Sequence, residues 1–143
     1  MFFIGQGKAA DRTRMVTTNT ILPLVVFTLL IFVLSLHGLS ASGHFPREHR
    51  AAVLSSPLGG VILHGSILIA LTALIAGLWA AWRLIPWYAA VIAGGLAILA
   101  APLVLQECSD SFVDDHRSLL SFAGASVALA IILLLFATNR PGL

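Results

Sequence analysis

Four long apolar runs separated by short polar segments organise this chain. The first, Ile21 to Leu39, reads ILPLVVFTLLIFVLSLHGL and contains no charged residue. That length matches the roughly 20 residues needed to cross the hydrocarbon core of a bilayer. Pro23 falls near the first turn expected for this helix, where a missing amide donor costs least. The second run extends from Ala51 to Trp82, too long for one upright helix. Ser55-Ser56-Pro57 supplies a start within it, with Ser56 as N-cap and Pro57 at the first helical position. A helix over 57–82 would be about 39 Å long, enough to span with tilt.

Arg83 to Pro86 is a very short connection, so the third helix is expected to return antiparallel beside the second. It runs to about Gln106, and Pro102 is placed to kink it near its end. The polar stretch ECSDSFVDDHRS follows, where Asp114 or Asp115 would cap a fourth helix running to about Thr138. The expected elements therefore cover 20–39, 57–82, 86–106 and 115–138 in one membrane domain over residues 1–143. The fold class is all-α, a polytopic bundle of four transmembrane helices.

Composition agrees with the pattern. Hydrophobic residues make up 59% of the chain and charged residues 10%, with a mean hydropathy of +1.00. A soluble domain carries roughly 25% charge because its surface must face water. Lipid is therefore the expected solvent for most of this surface. A basic start, an apolar run and Ser40-Ala41-Ser42 also resemble a signal peptide with its cleavage site. The first run is longer than the usual h-region, so it is read as a retained helix.

Charge placement sets an expected orientation. Four crossings put both termini and Arg83 on one side, with Lys8, Arg12, Arg14 and Arg140. Arg47, Arg50 and Arg117 lie on the other. The excess of basic residues, led by the N-terminal cluster, predicts an N-in, C-in topology, and the membrane expected is a bacterial cytoplasmic (inner) one. Trp79, Trp82, Trp87 and Tyr88 flank Arg83 as an interfacial aromatic belt with a snorkelling cation would.

Small residues point to helix contacts. Ala73, Gly77 and Ala81 recur every four residues on the second helix, and Ala89, Ala93, Ala97 and Ala101 do so on the third. Such ridges let backbones approach closely in lipid. They predict either a tight hairpin of these two helices or an interface with another chain. Ser121, Gly124, Ala125 and Ala128 form a weaker small face on the fourth helix. The first helix is bulkier and suits lipid or a larger neighbour.

Candidate chemistry is sparse. No Asp, Glu, Lys or Arg lies inside an apolar core, which argues against ion-coupled transporters and proton pumps. It also argues against a small multidrug-type exporter, which needs a membrane-embedded acid. His37 and His64 are the exceptions, each in a Leu-His-Gly triplet at similar depth from the outer edge. A histidine pair on adjacent helices can hold haem b. Single histidines ligate other pigments, such as chlorophyll through its magnesium, or hydrogen-bond a quinone. The simpler reading is interfacial histidines bonded to Ser35, Ser66, a carbonyl or water.

The outer loops gather His44, His49, Glu107, Asp110, Asp114, Asp115 and His116, residue types that bind divalent metals. Their spacing matches neither an established ligand signature nor a calcium loop, and a solvated acidic loop accounts for them more simply. Cys108 has no second cysteine for an internal disulfide. No catalytic motif and no nucleic-acid motif appears. The expected role is a non-catalytic accessory subunit of a larger energy-transducing or transport complex, in contact with lipids and with other subunits or itself. The alternatives are a b-type haem or quinone-binding electron-transfer protein using His37 and His64, and a small oligomeric channel or transporter.

Overall fold

The computed structural model describes residues 6–42, 57–107 and 116–139, with side chains from residue 20 onward in the first helix, 59 in the second and 119 in the last. Four α-helices make up the described chain: α1 (Gln6–Ser42), α2 (Pro57–Leu84), α3 (Trp87–Glu107) and α4 (His116–Thr138). Each contains a segment long and apolar enough to cross a membrane, namely Thr20–Ser42, Gly59–Leu84, Trp87–Glu107 and Leu119–Thr138. This is the architecture of a helical integral membrane protein, in which each helix satisfies its own backbone hydrogen bonds.

The first helix is longer than the apolar run predicts. It starts at Gln6, so about four turns precede the hydrophobic segment. Gln6 to Met15 is rich in Lys, Arg, Ala, Gln and Met and holds no proline, so the helix propagates through it. Pro23 consequently lies in the helix interior rather than in its first turn.

Packing also departs from the expected hairpin. The closely packed pairs are α2 with α4, and α1 with each of α2, α3 and α4. α2 and α3 are joined by Ile85 and Pro86 but do not pack along their lengths. Ile85 N–H donates to the Ala81 carbonyl at 2.9 Å, completing α2, while the Pro86 carbonyl accepts from Ala89 and Ala90 to start α3. Proline has no amide to carry the helix through and disfavours helical geometry at the residue before it. The corner therefore turns the chain, and α3 settles on α1.

α1 is thus the central helix, although Ile21, Leu22, Val25, Leu29 and Leu39 remain exposed on its outer face. In its spanning segment 39% is buried, against 17% for α3. Val26, Phe27, Leu30 and Ile31 form its inner face and join Ala73, Ala80 and Ala81 of α2, Ala97 of α3, and Ala130 and Leu133 of α4 in one core. At Gly77 an added Cβ would fall on the Leu30 side chain, and at Gly94 it would meet Phe27 at 3.7 Å. Large side chains from α1 therefore fill hollows left by small residues on its neighbours. Apart from Ala81, the buried positions of α2 (Gly59, Leu63, Ser66, Ala70, Ala73, Gly77, Ala80, Leu84) and those of α4 (Leu119, Ala123, Ser126, Ala130, Leu133) advance by alternating steps of four and three. That 3.5-residue period is the seam of near-parallel or antiparallel helix pairs.

Candidate functional site

Among the described residues the polar side chains enclosed by the bundle are His37, Ser40, Ser66 and Ser126, between 0% and 3% exposed. They come from α1, α2 and α4. Ala41, Leu63 and Leu119 pack together at one end of these helices. Counting inward from that layer, His37 lies four residues down α1, Ser66 three down α2 and Ser126 seven down α4. One half of the bundle therefore carries its internal polarity, while the half around Leu30 and Ala80 is apolar.

Most hydroxyls bond their own helix. Ser66 Oγ donates to the Leu63 carbonyl at 2.9 Å and Ser126 Oγ to that of Ala123 at 2.8 Å. Ser35 and Thr28 do the same, to Ile31 and Leu24. A hydroxyl without water has few alternatives, and a carbonyl one turn back is always in reach. Ser35 and Ser66 thus spend their protons on backbone rather than on a histidine. Both ring nitrogens of His37 and the Ser40 hydroxyl have no hydrogen-bond partner among the described residues. Groups of this kind cost about 1–3 kcal/mol each when left unpaired, so their retention singles them out.

The two histidines stand in different surroundings. His37 is enclosed. His64 is exposed on α2, with its Nδ1 2.8 Å from the Gly60 carbonyl. Because a carbonyl only accepts, this contact puts a proton on Nδ1. A haem shared between the two would need both rings to open onto one cavity, and this packing encloses only one of them. The Cβ positions at Gly38 and Gly65, the glycines of the two triplets, face open space.

Of the residues considered for a metal, Glu107 ends α3 and is exposed, and His116 begins α4. His44, His49, Asp110, Asp114 and Asp115 lie outside the described residues, as does Cys108. Among the described residues no group of three or more His, Cys, Asp or Glu could hold a metal ion.

The helix-packing residues divide clearly. Ala73, Ala81 and Ala97 are 3–5% exposed and Gly77 is buried, whereas Ala89 and Ala93 are half-buried. Those on α2 and α3 pack into the core around α1, with Ala73 also facing α4, rather than against each other. The small face of α4 behaves differently: Ser121, Gly124, Ala125 and Ala128 are all exposed, and the Cβ position of Gly124 meets nothing within 4 Å. Beside it, an open apolar groove of about 420 Å³ runs between α2 and α4, floored by Ala73, Ala76 and Ala130. Comparison with family models, with curated proteins and with solved structures finds no match for this chain.

Proposed function

We propose that this chain is a non-catalytic subunit of a larger integral membrane assembly, one that takes part in energy transduction or transport. It sits in the bacterial inner membrane with both termini inside and meets its neighbour through α4. The observation that carries this reading is the outward placement of Ser121, Gly124, Ala125 and Ala128. Lipid chains are well matched by bulky aliphatic side chains, and α3 presents Val91, Ile92, Leu96, Leu99 and Leu103 on its outside. A small-residue face instead suits another helix, whose backbone it lets approach closely.

Gly124→Leu combined with Ala128→Leu tests the reading. In a mild detergent the parent chain is expected to cross-link to, and copurify with, itself or other membrane chains. The double variant should lose those partners while keeping its helicity. A parent chain that is a strict monomer with nothing copurifying sinks the proposal. Self-association alone would favour the small oligomeric channel or transporter. Orientation is checked separately with Asp110→Cys in a Cys108→Ser background. Labelling from the periplasmic side is expected, and labelling only from the cytoplasmic side inverts the topology.

One observation favours a rival, an electron-transfer protein. The enclosed, unpartnered ring of His37 offers a nitrogen that a haem iron or a quinone carbonyl would take. A Soret band from the purified protein, lost in His37→Leu, would replace the assembly reading with the haem one.

A further inference from the structure

The corner between α2 and α3 concentrates features that no helix contact inside the chain uses. Arg83 is the one Lys or Arg among the described side chains, and it is exposed. Its guanidinium carbon sits over the Trp79 ring, 4.4 Å from the centroid. Trp79, Trp82, Trp87 and Tyr88 flank it along the chain with 49%, 82%, 70% and 56% of their surfaces exposed. Trp87 and Tyr88 meet edge to face, with centroids 6.1 Å apart. None of the three indole N–H groups, nor the phenol, is hydrogen-bonded among the described residues. Glu107, the one carboxylate among the described side chains, is at the other end of α3, about 30 Å away at 1.5 Å per residue.

We propose that Arg83 and the aromatic side chains around it form a binding site for the headgroup of an anionic phospholipid. Its place over the Trp79 ring anchors the guanidinium, and its N–H groups, without a partner among the described residues, can pair with two phosphate oxygens. The indoles and the phenol, apolar in body and polar at the tip, set this group at headgroup depth and offer donors to phosphate and ester oxygens. Net charge decides between lipids. A zwitterionic headgroup returns the attraction of its phosphate through its own cation, whereas an anionic one does not. α1 runs antiparallel to α2, since Leu30 lies at Gly77 while Ala41 packs with Leu63. Its N-terminal extension, bearing Lys8, Arg12 and Arg14 in sequence, therefore leaves the bundle at the same end as Arg83. By sequence that extension also carries Asp11, so three basic residues stand against one acid and this end is net basic.

The chain supplies its own reporter, because its three tryptophans are Trp79, Trp82 and Trp87. The whole protein is reconstituted in phosphatidylcholine vesicles containing a minor fraction of acyl-brominated phosphatidylglycerol, or the same fraction of brominated phosphatidylcholine. Quenching by the anionic lipid is expected to correspond to a local enrichment of roughly fivefold, the equivalent of about 1 kcal/mol for one basic residue at the surface. Arg83→Gln should abolish the preference with far-UV circular dichroism unchanged, and Arg83→Lys should keep part of it. Equal quenching by both lipids, or a preference that survives Arg83→Gln, overturns the proposal. Inorganic phosphate is the competing ligand: competition at millimolar levels and constant ionic strength would make this a free-anion site and overturn the lipid assignment. The proposal is independent of the assembly reading. A partner chain lost on Arg83→Gln would instead make Arg83 a protein contact.

Discussion

Truncating Leu30 to alanine is expected to destabilise the bundle by about 1–3 kcal/mol, and enlarging Gly77 in the same chain should recover part of that loss. Leu30 has 0% exposure and fills the hollow at Gly77, where an added Cβ would fall on its side chain. In water, a buried Leu→Ala change costs roughly 2–5 kcal/mol, part of it from transfer of the side chain and part from the cavity. In a bilayer the transfer part largely vanishes, because the separated helices keep Leu30 in lipid. The packing part remains, which sets the lower range. Gly77→Leu alone should destabilise by overpacking of about 1–3 kcal/mol, partly offset by about 1 kcal/mol of helix propensity gained on replacing glycine. With both changes, the new leucine occupies the space the old one left. Unfolding in mixed detergent micelles measures all four chains. Strict additivity of the two single effects would show that Leu30 and Gly77 are not in contact.

The second large effect concerns α3. It packs closely on α1 alone, through Gly94, Ala97 and Ala101. Ala101 is 0% and Ala97 5% exposed, so neither has space for a larger side chain. Ala97→Leu with Ala101→Leu is expected to lift α3 off α1 while leaving the α1, α2 and α4 core in place. The two-residue link at Ile85 and Pro86 allows this, because no long shared surface ties α3 to α2. The readout is disulfide formation in a Cys108→Ser chain, between Ile31→Cys and Gly94→Cys for α1–α3 and between Ala73→Cys and Ala130→Cys for α2–α4. Overpacking of about 1–3 kcal/mol per site is enough for a drop of roughly tenfold or more in the first cross-link. The second should persist. Loss of both together would mean that the bundle unfolds as one unit.

The four apolar helices were readable from the chain itself, because a run of about 20 uncharged residues has few stable environments other than a lipid core. The polar residues at risk of functional meaning were readable too, since an imidazole is conspicuous in an apolar run. Two things were not. The first was the state of each histidine. His37 and His64 share a triplet, yet one is enclosed four residues inside the Ala41 layer and the other is exposed one residue inside Leu63, and only the packing of the helices sets that depth and face. The second was the enclosed trio of Ser40, Ser66 and Ser126, which resembles any other scatter of serines along apolar helices. The 3.5-residue spacing of Ser66 and Ser126 within the buried seams was the available signal.

Sequence alone therefore determined the number of helices, their apolar character and the short connection within Arg83 to Pro86. It also marked which residues were small enough to allow close contact. The tertiary structure decided what those small residues touch. In water, a polar face tells the inside of a helix from its outside, but here nearly every face is apolar and the pattern carries no such direction. Ala73, Gly77 and Ala97 look ready to meet one another across a hairpin. Gly77 receives Leu30 instead, Gly94 receives Phe27, and Ala73 and Ala97 join the one core that α1 centres, because a bulky central helix fills such hollows better than another small-residue ridge does. The same shape-matching leaves the face at Gly124 and Ala128 unfilled by the described residues.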